Sequence, residues 1–183
     1  MKRKSLLSLC IGLMSVLMLV SCGDTSLRSK LVGSWKIDAV MYSGVDYLSF
    51  LSNMVEMEEE CKIENTYLLF QDNDSMMVSM CGEFAPPVHY TCNDAEHTAI
   101  VDIEIESMFT STVNTRRIKM AYDDNMLTFP LSSLFSDEDK ALMKASIDEI
   151  LEQYPEEQTA ILQQVVGLLT SDETTIIFVK EEK

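Results

Sequence analysis

Val101, Ile103 and Ile105 alternate with Asp102, Glu104 and Glu106, and a chain patterned this way has one fate: a strand with one face buried and one in water. The same period of two recurs along the chain. Ile63, Asn65, Tyr67 and Leu69 share one strand face, and Met76, Val78 and Met80 share the next. A two-residue turn at Asp72-Asn73 sets Leu69 opposite Met76 and Tyr67 opposite Val78, so both apolar faces agree. Ile118, Met120 and Tyr122 alternate with Arg117 and Lys119, and Leu127, Phe129 and Leu131 resume the pattern after Asp123-Asp124-Asn125, which completes a hairpin. Leu31 to Tyr42 opens the series with a first strand, and Val88-His89-Tyr90, after Pro86-Pro87, reads as a short edge strand.

The period changes to helical in three places. Tyr47, Leu48, Leu51, Met54 and Val55 form one stripe within a helix expected over 44–60. Ser136 with Asp139 resembles a capping box ahead of a helix whose stripe is Met143, Ile147, Ile150, Leu151 and Tyr154. Pro155 opens a second helix, with Ile161, Leu162, Val165, Val166 and Leu169 expected to face inward. A final strand, Thr174 to Val179, needs a partner. The economical one is the first strand near Trp35, which closes the sheet and removes its edges. The expected fold is therefore mainly β: an antiparallel up-and-down barrel of about eight strands, with a helix after the first strand and a helical pair before the last.

Met1-Lys2-Arg3-Lys4 and the apolar run to Val20 have the layout of a secretory signal peptide. Leu19-Val20-Ser21-Cys22 resembles the lipobox of bacterial lipoproteins. That resemblance implies cleavage before Cys22, a diacylglyceryl thioether on its sulfur and anchoring by two or three acyl chains, each buried methylene contributing about 0.8 kcal/mol. Gly23 after the cysteine implies the outer membrane, on its periplasmic face or at the cell surface. The expected division is a signal peptide over 1–21, a lipidated polar tether over 22–30 and one folded domain over 31–183, a size that can bury a real core.

Charge narrows the partners. Three of the 14 basic residues lie in the leader, which leaves 11 against 30 acidic ones. Such a balance disfavours nucleic acid and anionic lipid surfaces, which reward clustered Lys and Arg. Of the five cysteines, Cys10 leaves with the leader and Cys22 takes the lipid. Cys81 and Cys92, flanking the reversal at Pro86-Pro87, are the better candidates for a disulfide, worth about 3 kcal/mol in the chain-entropy model; three buried thiols are the alternative. In the expected register Cys61 and Cys81 point to opposite faces.

Catalytic and metal constellations are thin. His89, His97 and Cys92 match no zinc spacing, and Asp72-Asn73-Asp74 has Met77 where a calcium loop needs glycine. No Gly-x-Ser-x-Gly elbow and no glycine-rich phosphate loop occurs. The expectation is a protein that is not an enzyme and carries neither metal nor cofactor.

Gly33-Ser34-Trp35 at the start of the first strand, the run of short strands and the closing strand after a helical insertion resemble the lipocalin-like domains of Gram-negative lipoproteins. In that family the Gly-x-Trp indole plugs the closed end of the barrel, and Trp35 is the single tryptophan here. The helix after the first strand and the second helix before the last depart from the pattern. The resemblance implies a receptacle for a small hydrophobic or amphipathic molecule, lined from Trp35, Tyr67, Val78, Met80, Ile103, Met120 and Phe129. Ten methionines outside the leader suit either an adaptable pocket or an irregular core. The alternative is an accessory lipoprotein whose barrel is filled and whose acidic face or helical pair docks a protein partner.

Overall fold

The computed structural model describes residues 26–53, 61–107, 109–153 and 156–181. Ten strands form one antiparallel sheet: β1 (Gly33–Tyr42), β2 (Val45–Asp46), β3 (Tyr67–Phe70), β4 (Ser75–Met80), β5 (Glu83–Phe84), β6 (Val88–Asn93), β7 (Thr98–Glu106), β8 (Val113–Asp123), β9 (Met126–Pro130) and β10 (Thr175–Lys180). Eight of them close into an up-and-down barrel, because β10 pairs with β9 on one side and with β1 on the other. The closing register sets Trp35 opposite Lys180 and Ile37 opposite Phe178. A bulge between Ile37 and Ala39 shifts the alternation by one, so Trp35, Ile37 and then Val40 face the core. β2 and β5 are short returns outside the ring, folded back on β1 and β4.

Turn chemistry explains these returns. Ser43-Gly44 (φ 48° and 79°), Cys81-Gly82 (φ 55° and 74°) and Asp124-Asn125 (φ 40° and 64°) each place two successive residues in the left-handed region, the geometry of a tight hairpin turn that follows the strand twist. The β3–β4 turn corrects the expected register. Its loop has three residues, Asp72-Asn73-Asp74, with Asp74 at φ 62° and Gln71 N–H bonded to Ser75 O at 2.9 Å. The extra residue moves every pair by one: Leu68 meets Val78 and Phe70 meets Met76. A one-residue slip exchanges the faces, so Leu68 and Phe70 are buried where Tyr67 and Leu69 were expected inside.

Helices cover both ends of the barrel. At the end where β1 begins, α1 (Leu27–Leu31), capped by the Ser26 side chain, buries Leu27 and Leu31. The segment expected as a polar tether thus already belongs to the folded body from Ser26 onward. At the far end lie α2 (Leu48–Asn53), the pair α3 (Asp137–Gln153) and α4 (Glu156–Thr170), and the 3₁₀ turn Leu131–Leu134 ahead of that pair; Leu51 of α2, Leu169 of α4, Leu134 of the turn and Phe135 after it pack against the core. α2 begins at Leu48, where the expected helix spans 44–60, and residues 54–60 lie outside the described set. Gly44 reverses the chain, and Asp46 then accepts N–H bonds from Val40 (3.0 Å) and Leu48 (2.9 Å), which starts the helix. In α4 the inward residues are Val165, Val166, Leu168 and Leu169, while Ile161 and Leu162, expected to face inward, are 57% and 37% exposed.

Candidate functional site

The barrel interior is the expected receptacle, and among the described residues a continuous cluster of aromatic and aliphatic side chains reaches into it. Trp35 stands edge-on to Phe70 (6.4 Å between ring centres) and to Tyr122 (6.1 Å), and Phe70 stands edge-on to Tyr90 (5.0 Å). The Trp35 indole N–H donates to Leu31 O at 2.7 Å, so α1 and the indole close that end together. Lys180 completes the plug: its ammonium bonds Lys30 O and lies 5.5 Å from the centre of the Trp35 ring. Gly33, at φ 131°, lets the chain pass beneath it, since a Cβ there would sit 3.2 Å from Lys180 Cε. Toward the other end Phe129 stacks on Phe178 at 6.1 Å.

The expected lining residues divide on this evidence of burial. Trp35, Met120 and Phe129 are inside, as are Val101, Ile118 and Leu127, and each is 8% exposed or less. A side chain facing a water-sized void would keep accessible area, and these keep little. Val78 and Ile103 are half-buried and pack against the same core from its rim. Tyr67 is not a lining residue. It pairs with Lys36, one position off the inward Trp35–Leu68 pair, and its ring lies outside beneath the Lys36 ammonium, 5.7 Å from the ring centre. The side chain of Met80, and Cys22 with its expected lipid, lie outside the described residues.

The cysteines pair differently from expectation. Cys61 and Cys81 form the disulfide, and Cys92 is a free thiol. The face rule that separated Cys61 from Cys81 does not apply, because neither lies within a paired strand: Cys81 opens the tight turn after β4 and Cys61 precedes the 3₁₀ turn Ile63–Asn65. Cys92 instead sits within β6, opposite Ala99. Burial, reinforced by Asp94 and Asp74, raises its thiol pKa and keeps it protonated and weakly nucleophilic at neutral pH.

Two polar features flank this core. Beside α1, a cleft of about 460 Å³ is lined by Ser26, Arg28, Asp74, His89, Cys92 and Asp94, among others. Its charges are already engaged: Arg28 meets the Asp74 carboxylate at 2.7 Å and Asp72 O at 2.6 Å, and Asp94 accepts the Leu27 N–H at 2.7 Å. These bonds staple α1 to the wall. Nearby, burial and then the Cys92 charge push the Tyr90 phenol up to about 12. At the opposite end, Asp139 accepts from Ser107 Oγ (2.5 Å), Ser136 Oγ (2.6 Å) and Ser136 N–H (3.1 Å), which together hold its carboxyl below the usual range. The Ser136–Asp139 half of this clasp has a sequence signature; the Ser107 half joins residues 32 apart and has none. Ser132 bonds Asp172 at 2.5 Å in the same manner, so both ends of the helical pair are pinned to the barrel.

No protein-family model, curated protein or solved structure matches this chain.

Proposed function

We propose that this protein is a lipid-anchored, lipocalin-like lipoprotein of the outer membrane that acts as a non-enzymatic accessory protein, its filled barrel serving as a rigid mount for docking surfaces. The observation that carries this reading is the interior: Trp35, Phe70, Tyr90, Met120 and Leu127 are each 1% exposed or less, which favours a solid core over a receptacle. Ser26 follows Cys22 by four positions, a reach of at most about 14 Å. A lipid on Cys22 would therefore hold the α1 end against the membrane and leave the helical pair facing away. There Ile161 and Leu162 are 57% and 37% exposed, apolar surface that suits contact with a protein.

The reading of a small apolar ligand keeps one observation in its favour, the half-buried Val78 and Ile103 at the rim of the core. Native mass spectrometry of the purified protein separates the two. The accessory reading expects the mass of the chain and its lipid alone; a co-purifying small molecule at equal stoichiometry overturns it. Cys22→Ser is expected to move the protein from the membrane to the soluble fraction, and its retention in membranes would remove the anchor from the proposal.

A further inference from the structure

β6 does not run as a full neighbour between β4 and β7. Its first residues, Val88 and His89, pair with Met76 and Ser75 of β4, whereas Tyr90 to Asn93 pair with Val101 to Thr98 of β7. Carrying the second register onward would set Pro87 opposite Glu104 and Pro86 opposite Ile105. Proline has no N–H to give to a ladder, and the chain leaves β7 at this point. β4 meanwhile turns at Cys81-Gly82 and takes β5 as its neighbour. Among the described residues β7 therefore continues from Asp102 to Glu106 with β8 as its single partner, and its other edge has none.

This edge has a defined chemistry. Asp102, Glu104 and Glu106 are exposed on the outer face, and Ile103 and Ile105 lie half-buried on the inner one. β8 neutralises the first carboxylate alone: Arg117 holds Asp102 through two bonds of 2.9 and 3.0 Å, while Glu104 and Glu106 face Thr115 and Val113. We infer that the outer edge of β7, from Asp102 to Glu106, binds an extended segment of another protein in which basic side chains alternate with apolar ones. Added as a strand, such a segment satisfies the backbone groups of β7, sets its basic side chains beside Glu104 and Glu106 and lays its apolar ones against the Ile103 side. A second copy of this chain is a poor occupant, because its own edge would bring the same carboxylates into register with these. The inference names a second surface for the accessory reading and a partner chemistry, but it depends on neither the lipid nor the helical pair.

The test uses the purified protein and a short capped peptide of alternating lysine and valine, with the glutamate–valine peptide as control, read by residue-resolved amide hydrogen exchange. In the free protein, edge-facing amides of residues 102–106 should exchange quickly, and saturating lysine–valine peptide should slow them by about tenfold or more. Glu104→Lys combined with Glu106→Lys should weaken the peptide by about tenfold, since two attractive cross-strand pairs become repulsive, and should leave the circular dichroism spectrum unchanged. Protection of these amides before any peptide is added would show the edge to be covered already and would overturn the inference. Equal binding of the glutamate–valine peptide, or protection elsewhere, overturns it too. Because no outcome depends on what co-purifies with the barrel, the edge can fail while the accessory reading stands, and the reverse.

Discussion

Trp35 joins two jobs in one side chain: it fills the barrel end, and its indole N–H satisfies Leu31 O at the end of α1. Trp35→Ala should cost about 3–5 kcal/mol in urea unfolding followed by circular dichroism. Trp35→Phe retains most of the apolar volume but leaves a buried carbonyl unpaired, and should cost about 1–3 kcal/mol. Tyr90 makes a prediction about pH. Its neutral form is favoured in the folded chain, so the unfolded chain releases this proton first as pH rises. Stability from this group is complete below pH 10.0 and is lost between there and about 12. Tyr90→Phe should flatten the loss of urea stability across that window. Both residues were within reach of sequence reasoning to different degrees. A lone tryptophan after Gly33-Ser34 stands out; Tyr90 looked like an edge-strand residue, because nothing local shows that Phe70 will lie against it.

At the scale of elements, alternation was legible and register was not always so. β7, β8 and β9 fall where their periods place them, since Asp124-Asn125 makes an ordinary tight turn. The β3–β4 pair slips by one because Asp72-Asn73-Asp74 has three residues that all accept turn conformations, and sequence does not say which of two loop lengths the chain will use. That single residue put Tyr67 outside the core and Phe70 in it. The disulfide was missed for a related reason: the face rule covers strands, and both partners lie beyond strand ends. Cys61→Ser should cost about 3 kcal/mol, the loop-closure value for a bridge between residues 20 apart, whereas Cys92→Ser should change stability little. The Ser107–Asp139 bond ties the β7–β8 connection to the start of α3. Asp139 has a depressed pKa, so its contribution is present above the ordinary aspartate range and is lost as pH falls through its folded value. Ser107→Ala should cost about 1 kcal/mol at neutral pH and make stability less sensitive to acid, as urea midpoints at neutral and acidic pH would show.

For the molecule as a whole, closure of the ring was foreseeable, because an apolar terminal strand has to be paired and β1 was the free edge on offer. The near-complete burial of Trp35, Phe70, Met120 and Leu127 was not. The same alternating pattern serves a hollow barrel and a solid one, and the difference lies in rotamers and volumes that no period encodes. Deleting residues 175–183 should abolish cooperative unfolding and produce aggregates on gel filtration, since it bares the edges of both β1 and β9. Refolding should be slow for the chain's size, in the range of milliseconds to seconds that distant strand pairings impose.

The seam between Trp35 and Lys180 has one more consequence. A polypeptide made from its amino end must carry β1 half-paired until β10 has been added, about 140 residues later, so the ring cannot close before that late stretch emerges.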